Sequence, residues 1–274
     1  MMKACVMGWP IAHSLSPALH GYWLKAHGID GEYARQAVRP EELAAALARL
    51  KTGDWRGCNL TIPHKETAMA HLDRVDVAAR RVGAVNTVVV ENGRLSGFNT
   101  DGFGFMENLR AAVPNFDAKT GPAVVLGAGG AARAIVDALK EAGAPAIRVI
   151  NRSADRARAL VRDLGGAVEL VPWDCRTAAL DGAALLVNAT SLGMTANPPL
   201  DLDLDRLPKT ALVNDIVYAP LETPLLRAAK TRGNRVVDGL GMLLHQGRPG
   251  FKLWFGVLPE VTPALRQAVL AAMR

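Results

Sequence analysis

Val124-Val125-Leu126-Gly127-Ala128-Gly129-Gly130-Ala131-Ala132-Arg133-Ala134 is the stretch whose reading decides the fold. A short apolar run ends at Gly127, and a helix-forming run begins near Ala131. The spacing Gly127-x-Gly129-x-x-Ala132 fits the fingerprint of a dinucleotide-binding turn. Gly127 permits the tight turn out of the strand, Gly129 lets a pyrophosphate approach the backbone, and Ala132 keeps the helix close to the sheet. Ala128, Gly130 and Ala131 complete the turn, and the helix N-terminus offers free N–H groups to an anion. Glycines fall at such gaps by chance, so the flanks matter. Ile135, Val136 and Leu139 form an apolar helical face, Gly143 stops the helix, and Ile147-Arg148-Val149-Ile150 reads as the next strand. That is a complete β-α-β unit.

The tip of the second strand distinguishes the dinucleotides. An NAD site places an acid there, about 20 residues past the glycines, for the ribose 2′-hydroxyl. Here the position holds Asn151-Arg152-Ser153, with Arg156 one helical turn on. Two guanidinium groups suit a 2′-phosphate, so the reading is NADP. Asp155, the nearest acid, lies inside the following helix. The competing view is that Arg152 and Arg156 are a solvated helix face and Ser153 a plain N-cap.

Composition bounds the remaining classes. The chain has 274 residues, half of them hydrophobic and 21% charged, which suits two globular domains. Its net charge of +6 is scattered rather than clustered, so no nucleic-acid surface is read. A mild positive field favours anionic substrates and phosphorylated cofactors. Cys5, Cys58 and Cys175 are far apart and without metal-ligand spacing, which argues against disulfides and structural zinc and fits the cytoplasm. No signal-peptide core or membrane span is read.

The chain before the glycine-rich unit reads β-α-β-α-β-α-β-β, a mostly parallel sheet with an antiparallel pair at one side. Ser16-Pro17 reads as an N-cap and first helical position, and Pro63-His64-Lys65 as the start of another helix. Asn92-Gly93 is a type I′ hairpin turn. Asn99-Thr100-Asp101-Gly102 opens a linking helix. After the glycines, strands separated by helices give a doubly wound, Rossmann-type sheet. The expected architecture is α/β, with a substrate domain over 1–103, a dinucleotide domain over 104–238 and closing helices over 239–274 that pack back on the first domain. Two such domains in series create a cleft, and the polar motifs fall just after strands, where parallel sheets bind ligands.

His13-Ser14-Leu15-Ser16-Pro17, Asn59-Leu60-Thr61-Ile62-Pro63-His64-Lys65, Gly83-Ala84-Val85-Asn86-Thr87 and Asn99-Thr100-Asp101-Gly102 resemble motifs of the shikimate dehydrogenase family. So do the stretches Asn188 to Met194, Asp215 to Tyr218 and Gly239 to Gly247, in the family's order over nearly the whole chain. The resemblance implies reversible reduction of 3-dehydroshikimate to shikimate by NADPH, within aromatic amino-acid biosynthesis. One departure is Arg248-Pro249-Gly250, where Pro249 is expected to kink or interrupt a helix.

Reducing a ketone needs a hydride donor on one face and a proton source at the oxygen. Lys65 and Asp101 are the candidates, each after a strand. A lysine ammonium stabilises developing alkoxide charge, and a neighbouring carboxylate orients it and shares the proton. Which of the two is the formal acid or base stays open. Ser14 and Ser16 read as holding the substrate carboxylate. Asn59, Asn86 and Gln246 offer amides to ring hydroxyls, and the resemblance adds Thr61 and Tyr218. By family position, Thr190, Ser191, Ile216, Gly239 and Met242 join the cofactor set, with core filling the alternative for Met242. Three rivals stand beside this reading: a quinate/shikimate dehydrogenase preferring NAD, a methylenetetrahydrofolate dehydrogenase, and a non-catalytic sensor of NADP and a metabolite. Arg152 and Arg156 oppose the first, the Ser14/Ser16 and Asn99-Thr100-Asp101 motifs the second, and Lys65 with Asp101 the third. Monomer and homodimer are both compatible with the sequence.

Overall fold

A computed structural model describes residues 1–273. The chain forms two compact units, one joining Met1–Gly104 to the segment from Leu243 onward, the other spanning Phe105–Met242. The limits fall inside two helices rather than in linkers.

In the first unit, β1 (Met2–Gly8), α1 (Ser16–Ala26), β2 (Gly31–Ala37), α2 (Leu43–Leu50) and β3 (Trp55–Leu60) follow the expected alternation. Then come β4 (Arg74–Val75), α3 (Val77–Val82), β5 (Thr87–Glu91), β6 (Arg94–Phe98) and the start of α4 (Asp101–Ala112). The sheet order is β2-β1-β3-β5-β6-β4. β1 pairs in parallel with β2 and β3, whereas β5 runs antiparallel to both β3 and β6. The antiparallel pair is therefore not at the edge. The two-residue β4 lies outside it, parallel to β6, with Arg74 opposite Ser96 and Val75 opposite Gly97. Asn92 and Gly93 both take positive φ, 51° and 71°, as a type I′ turn requires.

One side of this sheet buries Cys5, Met7, Cys58, Leu60 and Val88 against Leu43, Leu47 and Leu50 of α2. Leucines at this spacing line one face of a helix, which is why the segment folds as one.

The second unit continues from α4 with β7 (Ala123–Leu126), α5 (Gly130–Glu141), β8 (Ile147–Ile150), α6 (Ala154–Leu164), β9 (Val168–Val171), β10 (Leu185–Asn188), β11 (Leu212–Asp215), α7 (Pro224–Thr231) and β12 (Arg235–Val237). All its pairings are parallel, in the order β12-β11-β10-β7-β8-β9. That is the doubly wound dinucleotide topology, with its switch point between β7 and β10. Ala123 and Val125 face the core with Ile135, Leu139 and Leu160, while Val124 and Leu126 face Leu186, Leu225 and Leu226. Burial on both faces explains why β7 is an unbroken apolar run. Not every crossover is helical, however. Short 3-10 turns at Trp173–Cys175 and Ala178–Leu180 join β9 to β10, and no helix separates β10 from β11.

α8 (Leu240–Phe255) runs through Pro249 without a break, and α9 (Pro263–Ala271) follows. The expected interruption is absent, and beyond the proline Phe251 and Trp254 tie the helix into the first unit. Phe251 is fully buried, and Trp254 Nε1 donates to the Val88 carbonyl at 2.9 Å.

Candidate active site

Lys65 lies in the loop after β3, not at a helix start. The His64 N–H closes a turn on the Thr61 carbonyl at 2.8 Å, and the Lys65 carbonyl accepts from Val85 N at 2.7 Å. The Ala68 N–H closes a single turn on the His64 carbonyl at 2.9 Å, and a 3-10 turn begins only at Thr67. The same contacts aim the side chain. Lys65 Nζ donates to Asp101 Oδ2 at 2.5 Å, with the side chains 16% and 5% exposed. Asp101 is the first residue of α4, and its N–H is held by Asn99 Oδ1 at 3.0 Å.

Asn86, just before β5, organises the surroundings. Its Nδ2 lies 2.9 Å from Asp101 Oδ1, 2.9 Å from Thr100 Oγ1 and 3.1 Å from Gln246 Oε1. Its Oδ1 accepts from Thr100 N at 2.8 Å and from Thr87 Oγ1 at 3.1 Å. Gln246 reaches this point because α8 packs against Gly104, where an added Cβ would sit 2.5 Å from Gln246 Cβ. Asn59 Nδ2 donates to the Asn86 carbonyl and to Thr87 Oγ1, at 3.0 and 3.2 Å. Its own Oδ1 accepts from Tyr33 at 2.6 Å. The structure thus joins Lys65, Asp101, Asn59, Asn86 and Gln246 in one polar network.

Ser14 and Ser16 sit together before α1, their hydroxyls 3.3 Å apart. Ser16 is not the N-cap. Leu15 holds that position with no side-chain cap, and Ser16 is already helical. Ser14 supplies the turn oxygen instead, 3.4 Å from Ser16 N. Thr61 follows β3, half-buried. Sequence reasoning missed Tyr33, Thr87 and His20. His20 is fully buried and stacks on Tyr33 at 4.0 Å. Burial drives its pKa down to about 3. Thr87 and Thr100 lie inside quoted motifs, beside Asn86 and Asp101, whereas Tyr33 and His20 carry no local signal.

In the second unit, the loops after the strands gather the cofactor candidates. Gly127 has φ 120°, and an added Cβ would lie 2.7 Å from the Ala189 carbonyl, so this turn demands glycine. Above Gly129 only Arg156 Nη2 comes within 4 Å of such a Cβ, at 3.9 Å, and α5 opens at Gly130. Ala128 is buried, with Ala131 on the helix's first turn. A glycine cradle open at a helix N-terminus, with a guanidinium beside it, fits a pyrophosphate and a further phosphate.

Arg152 is exposed in the β8–α6 turn. Asn151 Nδ2 donates to the Ser153 carbonyl at 2.9 Å, and Ser153 is the α6 N-cap by position but makes no side-chain cap bond. Thr190 and Ser191 follow β10, where the Ile216 N–H donates to the Asn188 carbonyl at 3.0 Å. Gly239 closes on Ile216, with an added Cβ 2.2 Å from its carbonyl oxygen. Met242 is 7% exposed in the hydrophobic core, where packing accounts for it. Tyr218 belongs to this second unit, and burial raises its phenol pKa. Among the described residues, no group of three or more His, Cys, Asp or Glu could hold a metal, and no helix is long and apolar enough to cross a membrane.

A doubly wound sheet with an open glycine cradle, in one chain with a partly buried lysine–aspartate pair, defines a nicotinamide-dependent oxidoreductase of the two-unit α/β class. Family models agree in detail. They match residues 6–88 as a shikimate dehydrogenase substrate binding domain, 110–195 as shikimate / quinate 5-dehydrogenase and 239–270 as a shikimate 5'-dehydrogenase C-terminal domain.

A shikimate dehydrogenase (NADP(+)) of Rhodospirillum rubrum is 60% identical over 97% of this chain and 96% of its own length. One from Paramagnetospirillum magneticum is 55% identical, with 98% of both chains covered. The crystal structure of shikimate 5-dehydrogenase from Thermus thermophilus, in complex with NADP(H) and shikimate, superposes with a TM-score of 0.89. It is 44% identical, covering 99% of this chain and all of that one. The chain belongs to the shikimate dehydrogenase family.

Proposed function

We propose that this chain catalyses the reversible reduction of 3-dehydroshikimate to shikimate with NADPH, as a cytoplasmic enzyme of aromatic amino-acid biosynthesis. The observation that carries the reading is the Lys65–Asp101 pair, 2.5 Å apart and held from behind by Asn86. Bound NADPH supplies the hydride. The protein's part is the proton. The Lys65 ammonium donates a hydrogen bond to the substrate's ketone oxygen, where negative charge builds during reduction. Asp101 keeps the ammonium on that line, and the pair delivers one proton to the oxygen as a unit. Asn59, Asn86, Thr61 and Gln246 address the ring hydroxyls, and the family resemblance adds Tyr218 to the substrate set. Ser14 and Ser16 hold the substrate carboxylate through hydroxyls and the start of α1.

Gly127, Ala128, Gly129, Gly130 and Ala131 form the pyrophosphate turn, and Arg152 and Arg156, with Asn151 and Ser153, take the 2′-phosphate. Thr190, Ser191, Ile216 and Gly239 pass near the pyrophosphate or the nicotinamide, and Met242 supports them from the core. The test is the absorbance change of NADP reduction with shikimate, run beside quinate and with NAD. Turnover with shikimate and NADP well above the other three combinations is expected. Preference for quinate with NAD would replace this reading with its nearest rival.

A further inference from the structure

Asp215 ends β11 fully buried, and nothing in the proton transfer uses it. Three donors converge on its carboxylate. Thr223 Oγ1 lies 2.7 Å from Oδ2, while Val217 N and Asn188 Nδ2 each lie 3.0 Å from Oδ1. These come from the α7 N-cap, the segment after β11 and the end of β10.

The Asn188 contact has a directional consequence. An amide flips between two nearly isosteric orientations, and only its neighbours decide which it keeps. Asn188 Nδ2 donates to Asp215 and, at 3.0 Å, to the Leu192 carbonyl. Both partners only accept. Its Oδ1 is thereby left to face Thr190, accepting from the backbone N–H at 3.1 Å and from Oγ1 at 2.7 Å. Thr190 Oγ1 in turn accepts from Leu192 N at 3.1 Å. All four valences of the amide are used, and they shape the turn from Asn188 to Leu192. Within that turn, the Ala189 carbonyl lies against Gly127 of the glycine-rich turn.

We propose that Asp215 is a positioning residue for dinucleotide binding: as an acceptor-only group it fixes the Asn188 amide, which holds the Thr190–Ser191 turn beside Gly127. The inference rests on the reading of the second unit as the NADP site. Burial raises the carboxyl pKa of Asp215 while its three donors lower it, as for a group held in place by its partners rather than by water.

The experiment measures NADPH affinity by the fluorescence of the dihydronicotinamide, shikimate affinity by calorimetry, and thermal stability. It compares the parent, Asp215→Ala and Asp215→Asn. Asp215→Ala is expected to weaken NADPH binding about tenfold, the order set by one lost buried hydrogen bond, and to leave shikimate affinity within about twofold. Asp215→Asn keeps an amide oxygen that accepts from Asn188 and Val217, and is expected to restore most of the NADPH affinity. Its cost falls on Thr223, as lower stability.

A folded Asp215→Ala protein with parental NADPH affinity overturns the proposal. So does equal weakening toward both ligands, which marks a merely structural role, and so does an Asp215→Asn protein as weak as Asp215→Ala. If Asp215→Ala does not fold, Asn188→Ala leaves the carboxylate its other two donors and reads the same link. Parental NADPH affinity there also overturns the proposal. A parent that binds no dinucleotide would instead sink the NADP reading itself.

Discussion

Lys65 Nζ and Asp101 Oδ2 stand 2.5 Å apart, and the two side chains are largely withdrawn from water. Removing one partner of such a pair strands the other, so each group matters beyond its own contact. Lys65→Met, which keeps the bulk and removes the charge, is expected to cut turnover by about 10² to 10⁴. Asp101→Asn is expected to lose turnover too, and the double variant much less than the product of the single losses, because the groups act as a unit. Single-turnover hydride transfer, with binding of both ligands checked separately, decides this. Parental hydride transfer in a Lys65→Met enzyme that binds both ligands would end the catalytic role, and His13 and Tyr218 would be tested next.

Cofactor choice is expected to follow Arg152 and Arg156. Arg152→Asp exchanges a cation for an anion where the 2′-phosphate is placed. Loss of a charge-assisted pair costs about 1.5–3 kcal/mol, roughly ten- to a hundredfold in affinity. The Michaelis constant for NADP is therefore expected to rise far more than that for NAD. Steady-state kinetics with both cofactors measures the split, and an unchanged NADP constant would remove Arg152 from the 2′-phosphate site.

The two serines separate binding from stability. Ser14→Ala is expected to weaken shikimate binding about tenfold and to leave NADP binding nearly unchanged. Because Leu15 rather than Ser16 is the N-cap of α1, Ser16→Ala is expected to cost less than the ~1 kcal/mol of a lost cap while still weakening shikimate binding. Calorimetry and urea denaturation of both variants check this. Parental shikimate affinity in both would exclude carboxylate recognition.

What was legible in the sequence was local. Gly127, Gly129 and the apolar run before them mark strand, turn and helix without any distant partner. The same holds for Asn92-Gly93 and for the leucines of α2. What was not legible depends on partners far along the chain. The backbone of Lys65 is tied to Val85, twenty positions away, whose N–H donates to its carbonyl. β4 exists only because Arg74 and Val75 pair with Ser96 and Gly97. Asn86 was readable as a polar residue beside a strand, but its link to Gln246 spans 160 positions. Asp215 stood inside a quoted motif, yet only the three donors around it give it a task. His20 and Tyr33 belong to no motif, and only their stacking and the Tyr33–Asn59 bond tie them to the site.

His20 makes the acid side of the stability profile testable. The ring is fully buried, stacked on Tyr33 with an interplanar angle of 10° and flanked edge-on by Trp23. Burial pushes its pKa from 6.5 down to about 3, and Asn59 offsets only part of that. The unfolded chain therefore binds a proton that the folded chain refuses between these two values. Stability rises with pH wherever the unfolded state holds more protons. The His20 contribution is thus complete above pH 6.5 and is lost progressively as pH falls toward 3. Its slope within that window is about 1.4 kcal/mol per pH unit. His20→Phe keeps an aromatic ring in the cage and removes the titration. Asp215, whose raised pKa acts in the opposite sense, is present in both proteins and cancels in their difference. The check is urea denaturation followed by tryptophan emission, to which Trp9, Trp23, Trp55 and Trp254 of the first unit contribute beside Trp173 of the second. The stability of the parent relative to His20→Phe is expected to fall by about 2 to 3 kcal/mol over two pH units inside the window. A difference that stays flat with pH would mean that the folded protein accepts the proton on His20, and that the aromatic cage opens to admit it.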